Sequence, residues 1–188
     1  MKKQLFLLAT LLLAYTTQSQ TIFERYANND DVTLVSISPK MFKMLGQISI
    51  SLDDPEAQDY LDMVTSINNF KVLISSNQDI SSEMLKWVNQ EVSKNALEQL
   101  MSVKDAEANV IFYVKDGKRE NHVEQLLMYV TENLKNSNKN LQFNGRTIEA
   151  VLLLLEGDID LNKISKLTDQ MDLPGGNQLK KAQKKKSL

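Results

Sequence analysis

Residues 148–155 read IEAVLLLL, a nearly uninterrupted apolar run that only Glu149 breaks. A strand with one solvated face alternates apolar and polar side chains, whereas a buried strand is apolar almost throughout. The run therefore predicts a buried central strand, and the other elements are placed around it.

Further strands are predicted by period-2 alternation and by short apolar runs. They fall at residues 32–38, 70–76, 97–103, 109–115 and 123–130. The polar turn at residues 116–120 predicts a hairpin between the last two strands. A 3.6-residue period also fits residues 123–134, so spacing alone leaves strand and helix open there, and we favour strand. The polar stretch 132–146 predicts a surface loop or an insertion.

Helix signals lie between and after these strands. Asp54 as an N-cap, with Pro55 at the first helical position, predicts a helix over residues 55–67. Amphipathic segments predict further helices at residues 21–29, from Pro39, from Ser81 and after Asp160. The expected fold class is α+β, with a mainly antiparallel sheet and helices packed on one of its faces.

A weak internal echo has two explanations. Residues 72–74 and 151–153 are both short apolar runs, each followed by an Asp-Ile pair and a helix signal at the same offset. An old internal duplication would produce this echo. Short strand–turn–helix units also resemble one another by chance, and the sequence leaves both explanations open.

The N-terminus has the pattern of an export signal. Lys2 and Lys3 precede an apolar run over residues 5–15, which ends in the small-residue pattern of Thr17 and Ser19. The run is too short to span a bilayer, which takes about 20 apolar residues, and is typical of a cleaved signal peptide. We therefore expect a signal peptide over residues 1–19, a single domain over 20–173, and a flexible basic tail over 174–188.

The sequence contains no cysteine. This excludes disulfides, thiol catalysis and thiolate metal sites, and it also removes the lipid-attachment cysteine of a lipoprotein. Together with the leader, it predicts a periplasmic or secreted protein without a stable membrane anchor.

Charge is distributed unevenly along the chain. Seven of the 22 basic residues lie in the leader and the tail, which leaves 15 against 24 acidic residues in the body, a formal charge of −9. Neutralising phosphates requires a basic surface, so this balance argues against nucleic acid as a partner. The lysines of the tail are interpreted as solvated, although a basic tail is also suited to anionic lipid.

Four segments together resemble the domain of unknown function 4252 family of exported proteins in Bacteroidota. They are residues 32–42, 97–105, 109–115 and 155–161. The resemblance spans nearly all of the predicted domain and implies the same order of elements, with residues 123–130 extended. It implies no activity, because the family has none assigned.

Acidic residues and the single histidine are the candidates for catalytic or metal-binding groups. Glu156, Asp158 and Asp160 form a carboxylate cluster of the kind that Ca²⁺ prefers, but they lack the further ligands and the glycine of an EF-hand loop. Asp160 is interpreted as a helix cap, and Asp158 as an acceptor for turn amides. His122 is interpreted as a surface residue of the charged turn. The acid pairs 30–31 and 53–54 precede element starts and are also interpreted as caps, so no catalytic, cofactor or metal site is predicted.

One candidate apolar binding face is predicted. It consists of Met41, Phe42, Met44, Tyr60 and Trp87. Methionines adapt to varied ligands, and such a face suits a peptide or lipid. The simpler interpretation is that these side chains cover the sheet as ordinary core, with Trp87 anchoring its helix.

The expected function is that of an exported, non-enzymatic interaction or sensory-accessory protein of the cell envelope. Its partner would be an envelope protein or a small apolar ligand, and its oligomeric state is undetermined by the sequence. Two alternatives remain: a periplasmic carrier with an apolar cavity between sheet and helices, and a carboxylate- or metal-dependent hydrolase.

Overall fold

The computed structural model describes residues 21–47, 61–104, 108–132, 142–143 and 146–161. The predicted leader, the caps at Asp53 and Asp54, Tyr60, the helix expected after Asp160 and the basic tail lie outside these residues. The duplication also stays a prediction, since its second helix would follow residue 161.

The described elements alternate helices and strands at first and then consist of strands alone. The helices are α1 (Ile22–Arg25), α2 (Pro39–Gln47) and α3 (Gln78–Asn95), and residues 61–65 are also helical. The strands are β1 (Val32–Ile37), β2 (Ile67–Ser75), β3 (Glu98–Lys104), β4 (Ala108–Asp116), β5 (His122–Glu132), β6 (Gln142–Phe143), β7 (Arg146–Thr147) and β8 (Ala150–Asp160).

Six of the described strands form one sheet in the order β1-β2-β8-β5-β4-β3, and every neighbouring pair is antiparallel. The apolar run in β8 lies at the centre, where residues 151–155 are at most 6% exposed, which confirms the predicted central strand. Residues 123–130 are strand, as favoured. Their helical period arises because the strand is buried on both faces, so apolar residues at any spacing are accommodated.

The helices lie on both faces of the sheet, and the prediction of helices on one face is wrong. Side chains alternate along a strand, so Val72 and Leu73 of β2 face opposite sides, yet both are 0% exposed. The face of Val72 packs against Phe42 of α2 and the helical residues 63–64. The face of Leu73 packs against α1 and α3, which contributes Ile80, Met84 and Val88 as its buried residues.

Several predicted boundaries differ from the observed ones for local reasons. Ile67 was expected to end a helix but begins β2, where it pairs with Gly157 of β8. Helix α3 begins earlier than the Ser81 signal, because the Asn77 side chain accepts hydrogen bonds from the backbone N–H groups of Asp79 and Ile80. In the stretch predicted as a loop, β6 and β7 pair as a short two-stranded ladder.

None of the described helices is both long enough and apolar enough to cross a membrane.

Candidate binding pocket at the β4–β5 turn

The apolar residues predicted to line one binding face do not lie together. Phe42 is 2% exposed in the core beneath α2, whereas its neighbours Met41 and Met44 are 47% and 53% exposed. Trp87 packs on the opposite face of the sheet, edge-on to Phe23 with ring centroids 5.6 Å apart. Phe42 and Trp87 therefore cannot line a common cavity, and Tyr60 lies outside the described residues.

A polar site instead lies at the turn between β4 and β5. The N–H of Gly117 donates to the carbonyl of His122 at 2.9 Å, and the N–H of His122 donates to the carbonyl of Arg119 at 3.1 Å. Asn121 has a φ of 59°, the left-handed conformation that asparagine tolerates better than most residues. These bonds fix the turn and place the His122 side chain at the start of β5.

A bulge in β8 brings Asp158 to this turn. Gly157 and Asp158 lie opposite the single residue Glu124 of β5, so β8 carries one extra residue. Gly157 has a φ of 149°, and a Cβ at this position would lie 2.3 Å from the carbonyl oxygen of Ser66. Only glycine fits this conformation and this close approach, and the backbone N–H of Asp158 then donates to the same Ser66 oxygen at 3.2 Å.

The Asp158 carboxylate holds two side chains from the turn. Its Oδ1 lies 2.8 Å from Nδ1 of His122, and its Oδ2 accepts a hydrogen bond from the Arg119 guanidinium. The side chain of His122 is 15% exposed, while those of Asp158 and Arg119 are 53% and 61% exposed. A histidine that is largely buried is thus tied through one carboxylate to an arginine at the surface.

The electrostatics of the cluster favour an ionised Asp158. Partial desolvation acts to raise the pKa of its carboxyl group, but the hydrogen bonds and charges of Arg119 and His122 outweigh it, so the pKa is lowered. Asp158 is therefore a carboxylate at neutral pH. With Nδ1 of His122 facing this carboxylate, Nε2 is the ring nitrogen available to a further partner.

Beside this cluster lies a pocket of about 400 Å³. Its apolar lining comes from Leu100 of β3, Val114 of β4, Val123 of β5 and Leu161 just after β8. The turn supplies the polar lining, which includes Asp116, Lys118, Arg119, Glu120 and His122. The N–H of Leu161 donates to the carbonyl of Asn121 at 3.0 Å, which ties the end of β8 to the turn.

The three acids of the β8 region have separate roles. Glu156 accepts a hydrogen bond from the Asn69 amide at 2.6 Å, and Asp160 pairs in register with His122. Asp158 binds side chains from the turn, so its interpretation as an acceptor for turn amides is wrong. Among the described residues, no three His, Cys, Asp or Glu side chains are grouped as metal ligands.

Asp31 belongs to the acid pair that precedes β1. Its side chain accepts a hydrogen bond from the Asn77 side chain at 3.2 Å.

A second carboxylate with two partners lies on the α3 face. Glu83 accepts hydrogen bonds from the Tyr26 hydroxyl at 2.8 Å and from the Arg25 guanidinium at 3.1 Å. The Tyr26 hydrogen bond is the main cause of the lowered pKa of Glu83, and the Arg25 charge adds to it against desolvation. This cluster joins the end of α1 to α3.

The comparisons with known proteins assign a family but no activity. The model of the family described as Domain of unknown function (DUF4252) matches residues 26–167, so the chain belongs to that family and the resemblance is confirmed. No curated protein matches the chain. No solved structure matches it either.

Proposed function

We propose that this member of the DUF4252 family is an exported, non-enzymatic interaction or sensory-accessory protein of the cell envelope, and that its binding site is the pocket at the β4–β5 turn. The leader pattern at residues 1–19 and the absence of cysteine support export. The matched family carries no activity that argues for catalysis or against it.

The observation that carries the proposal is a preformed pocket. Its volume of about 400 Å³ lies within the range of small-molecule and peptide sites, roughly 300–1,000 Å³. Asp158 orients Arg119 and His122 before any ligand arrives, and backbone hydrogen bonds fix the turn. Such preorganisation lowers the entropic cost of binding.

The carrier alternative is less well supported by the described residues. It requires an apolar cavity between sheet and helices, lined by the predicted face. Phe42 and Trp87 of that face pack in separate cores on opposite sides of the sheet.

One observation favours a hydrolase as the second candidate. Asp158 lies 2.8 Å from Nδ1 of His122, the arrangement in which a carboxylate orients an imidazole as a general base. The described residues that line the pocket include no serine, threonine or cysteine, so the nucleophile would be water that gives its proton to His122. Turnover of ester or amide probes that disappears in His122→Gln would establish this candidate.

Two measurements in cells test the proposal: the location and N-terminus of the mature chain, and site-specific cross-linking. The full chain carries a photoreactive residue in place of Lys118 in the pocket, with Lys86 on the exposed side of α3 as the matched control position. We expect N-terminal sequencing of the envelope fraction to give a mature chain starting near Gln20, with cross-links from position 118 and not from 86. Uncleaved protein in the cytosol, or equal cross-linking at both positions, would contradict the proposal.

A further inference from the structure

The pocket presents both signs of charge beside an apolar floor. Lys118 and Arg119 are exposed cations, and Asp116 and Glu120 are exposed anions on the same turn. The floor offers its apolar surface mainly through Leu100, which is 37% exposed, because Val114 and Val123 beneath it are 6% and 1% exposed. Charged rim and apolar floor thus occur within one cavity.

The charge balance restricts the chemistry of a ligand. The turn carries two cations and two anions, and the Asp158 carboxylate beside it already pairs with Arg119, so a simple anion meets repulsion from Asp116 and Glu120 as well as attraction. A simple cation meets the reverse. A ligand with separated positive and negative groups satisfies both pairs, and this is electrostatic complementarity of the kind that gives specificity.

The Arg119 guanidinium is only partly used by Asp158. One nitrogen of the Arg119 guanidinium donates to Asp158, and a guanidinium has five N–H donors, so the others remain for a carboxylate. Arg119 is thus held in place while still able to bind. Asp158 acts on the ligand only through Arg119 and His122 and is a positioning residue.

We infer that the pocket binds short apolar peptides or apolar amino acids in their zwitterionic form. The ligand carboxylate pairs with Arg119, its ammonium group with Asp116 and Glu120, and its apolar side chain covers the floor at Leu100. The cavity of about 400 Å³ lies toward the small end of ligand sites, which favours one or two residues over a longer peptide. This inference rests on the proposed function and names its ligand class.

The test uses the full chain and four probes in a titration followed by amide chemical shifts. The probes are leucyl-leucine, free leucine, N-acetyl-leucyl-leucine without the ammonium group, and leucyl-leucine amide without the carboxylate. We expect saturable shifts at the turn with leucyl-leucine, and at least tenfold weaker binding of each capped probe. Tighter binding of free leucine than of leucyl-leucine would indicate an amino-acid site, and the reverse would indicate a dipeptide site.

Variants connect each ligand group to its partner. Arg119→Gln is expected to weaken leucyl-leucine at least fivefold while leaving the amide probe nearly unchanged, and Arg119→Lys is expected to restore part of the affinity. Glu120→Gln removes a partner of the ammonium group. It is expected to weaken leucyl-leucine while leaving N-acetyl-leucyl-leucine nearly unchanged. Lys86→Gln on α3 is the control for the loss of an exposed cation and is expected to bind as the original chain does.

Equal affinity for capped and uncapped probes, or no saturable shift with any probe, would overturn the inference. Circular dichroism of each variant identifies loss of fold, and the capped probes test the inference on the unaltered chain in any case. The cross-linking test is independent of these probes, so failure here with cross-links retained at position 118 would reject the ligand class and not the proposed function.

Discussion

Two carboxylates in this protein each bind one arginine and one ring side chain, but their surroundings differ. Asp158 binds Arg119 and His122, and Glu83 binds Arg25 and Tyr26. Both have a lowered pKa. Asp158 lies beside a pocket and holds a turn, whereas Glu83 joins two helices that already pack on the core.

The difference indicates where binding is to be sought. The second partner of Glu83 is a phenol whose pKa is raised, first by desolvation and then by Glu83 itself, so it stays neutral at physiological pH. The second partner of Asp158 is the imidazole of His122, which is 15% exposed and lines the pocket. The α3 cluster is therefore an interaction between helices, and the turn cluster is a group of side chains arranged around a cavity.

The largest effect is expected where the backbone positions Asp158. Gly157→Ala places a Cβ against the Ser66 carbonyl, in a backbone conformation that residues with a side chain rarely adopt. We expect the free energy of unfolding to fall by about 3 kcal/mol. Gly117→Ala is the matched control, since its Cβ would lie 3.0 Å from the His122 carbonyl without the same backbone strain. Urea denaturation measures both. If Gly157→Ala were as stable as Gly117→Ala, the bulge would not require glycine.

An intermediate effect is expected on the α3 face. The Tyr129 hydroxyl donates to the carbonyl of Ser81 at 2.9 Å, and burial raises its pKa. Tyr129→Phe removes this hydrogen bond at a cost of about 1 kcal/mol, measured by urea denaturation. Because the folded pKa is higher than the unfolded value of 10.0, the contribution of Tyr129 is complete below pH 10 and is lost as the pH rises further. Identical alkaline stability profiles for the original chain and Tyr129→Phe would contradict this.

The smallest effect on stability is expected from the two carboxylates themselves. Asp158 and Glu83 are 53% and 43% exposed, so solvent screens their ion pairs, and Asp158→Asn and Glu83→Gln are each expected to cost less than about 1 kcal/mol. Each folded pKa is lowered. The contribution of each is therefore complete above its ordinary pKa, 3.8 for Asp158 and 4.5 for Glu83, and is lost as the pH falls through the folded value.

Thermal unfolding of the two variants between pH 2 and pH 7 checks this sign. The difference from the original chain should shrink toward acid pH for both variants. A difference that grows on acidification would show that neither carboxylate is stabilised in its ionised form.

The strands were predictable because local patterns determine them. The apolar run of β8 and the Asp116-Gly117 turn both give local signals, and the central strand and the hairpin follow from them. The two-sided covering of the sheet was also encoded in the adjacent apolar pair Val72 and Leu73. Such a pair requires a packed layer on each face, which the assignment of all helices to one face did not provide.

The site was not predictable from local patterns. Asp158 meets Arg119 and His122 across 39 and 36 residues of sequence, and the strand register alone brings them together. The one local signal was Gly157 followed by Asp158, which interrupts an apolar strand as a bulge does. The prediction of a common apolar face was wrong for a similar reason. The apolar sides of α2 and α3 were identified from each helix separately, and the two helices pack on opposite faces of the sheet.

We propose that Asp158 holds a binding pocket, whereas Glu83 joins two helices. Cross-linking from position 118 in the envelope tests it most directly when Asp158→Asn is compared with Glu83→Gln. We expect Asp158→Asn to lose most of the cross-link and Glu83→Gln to retain it, with both variants folded by circular dichroism. Equal cross-linking in the two variants would contradict it.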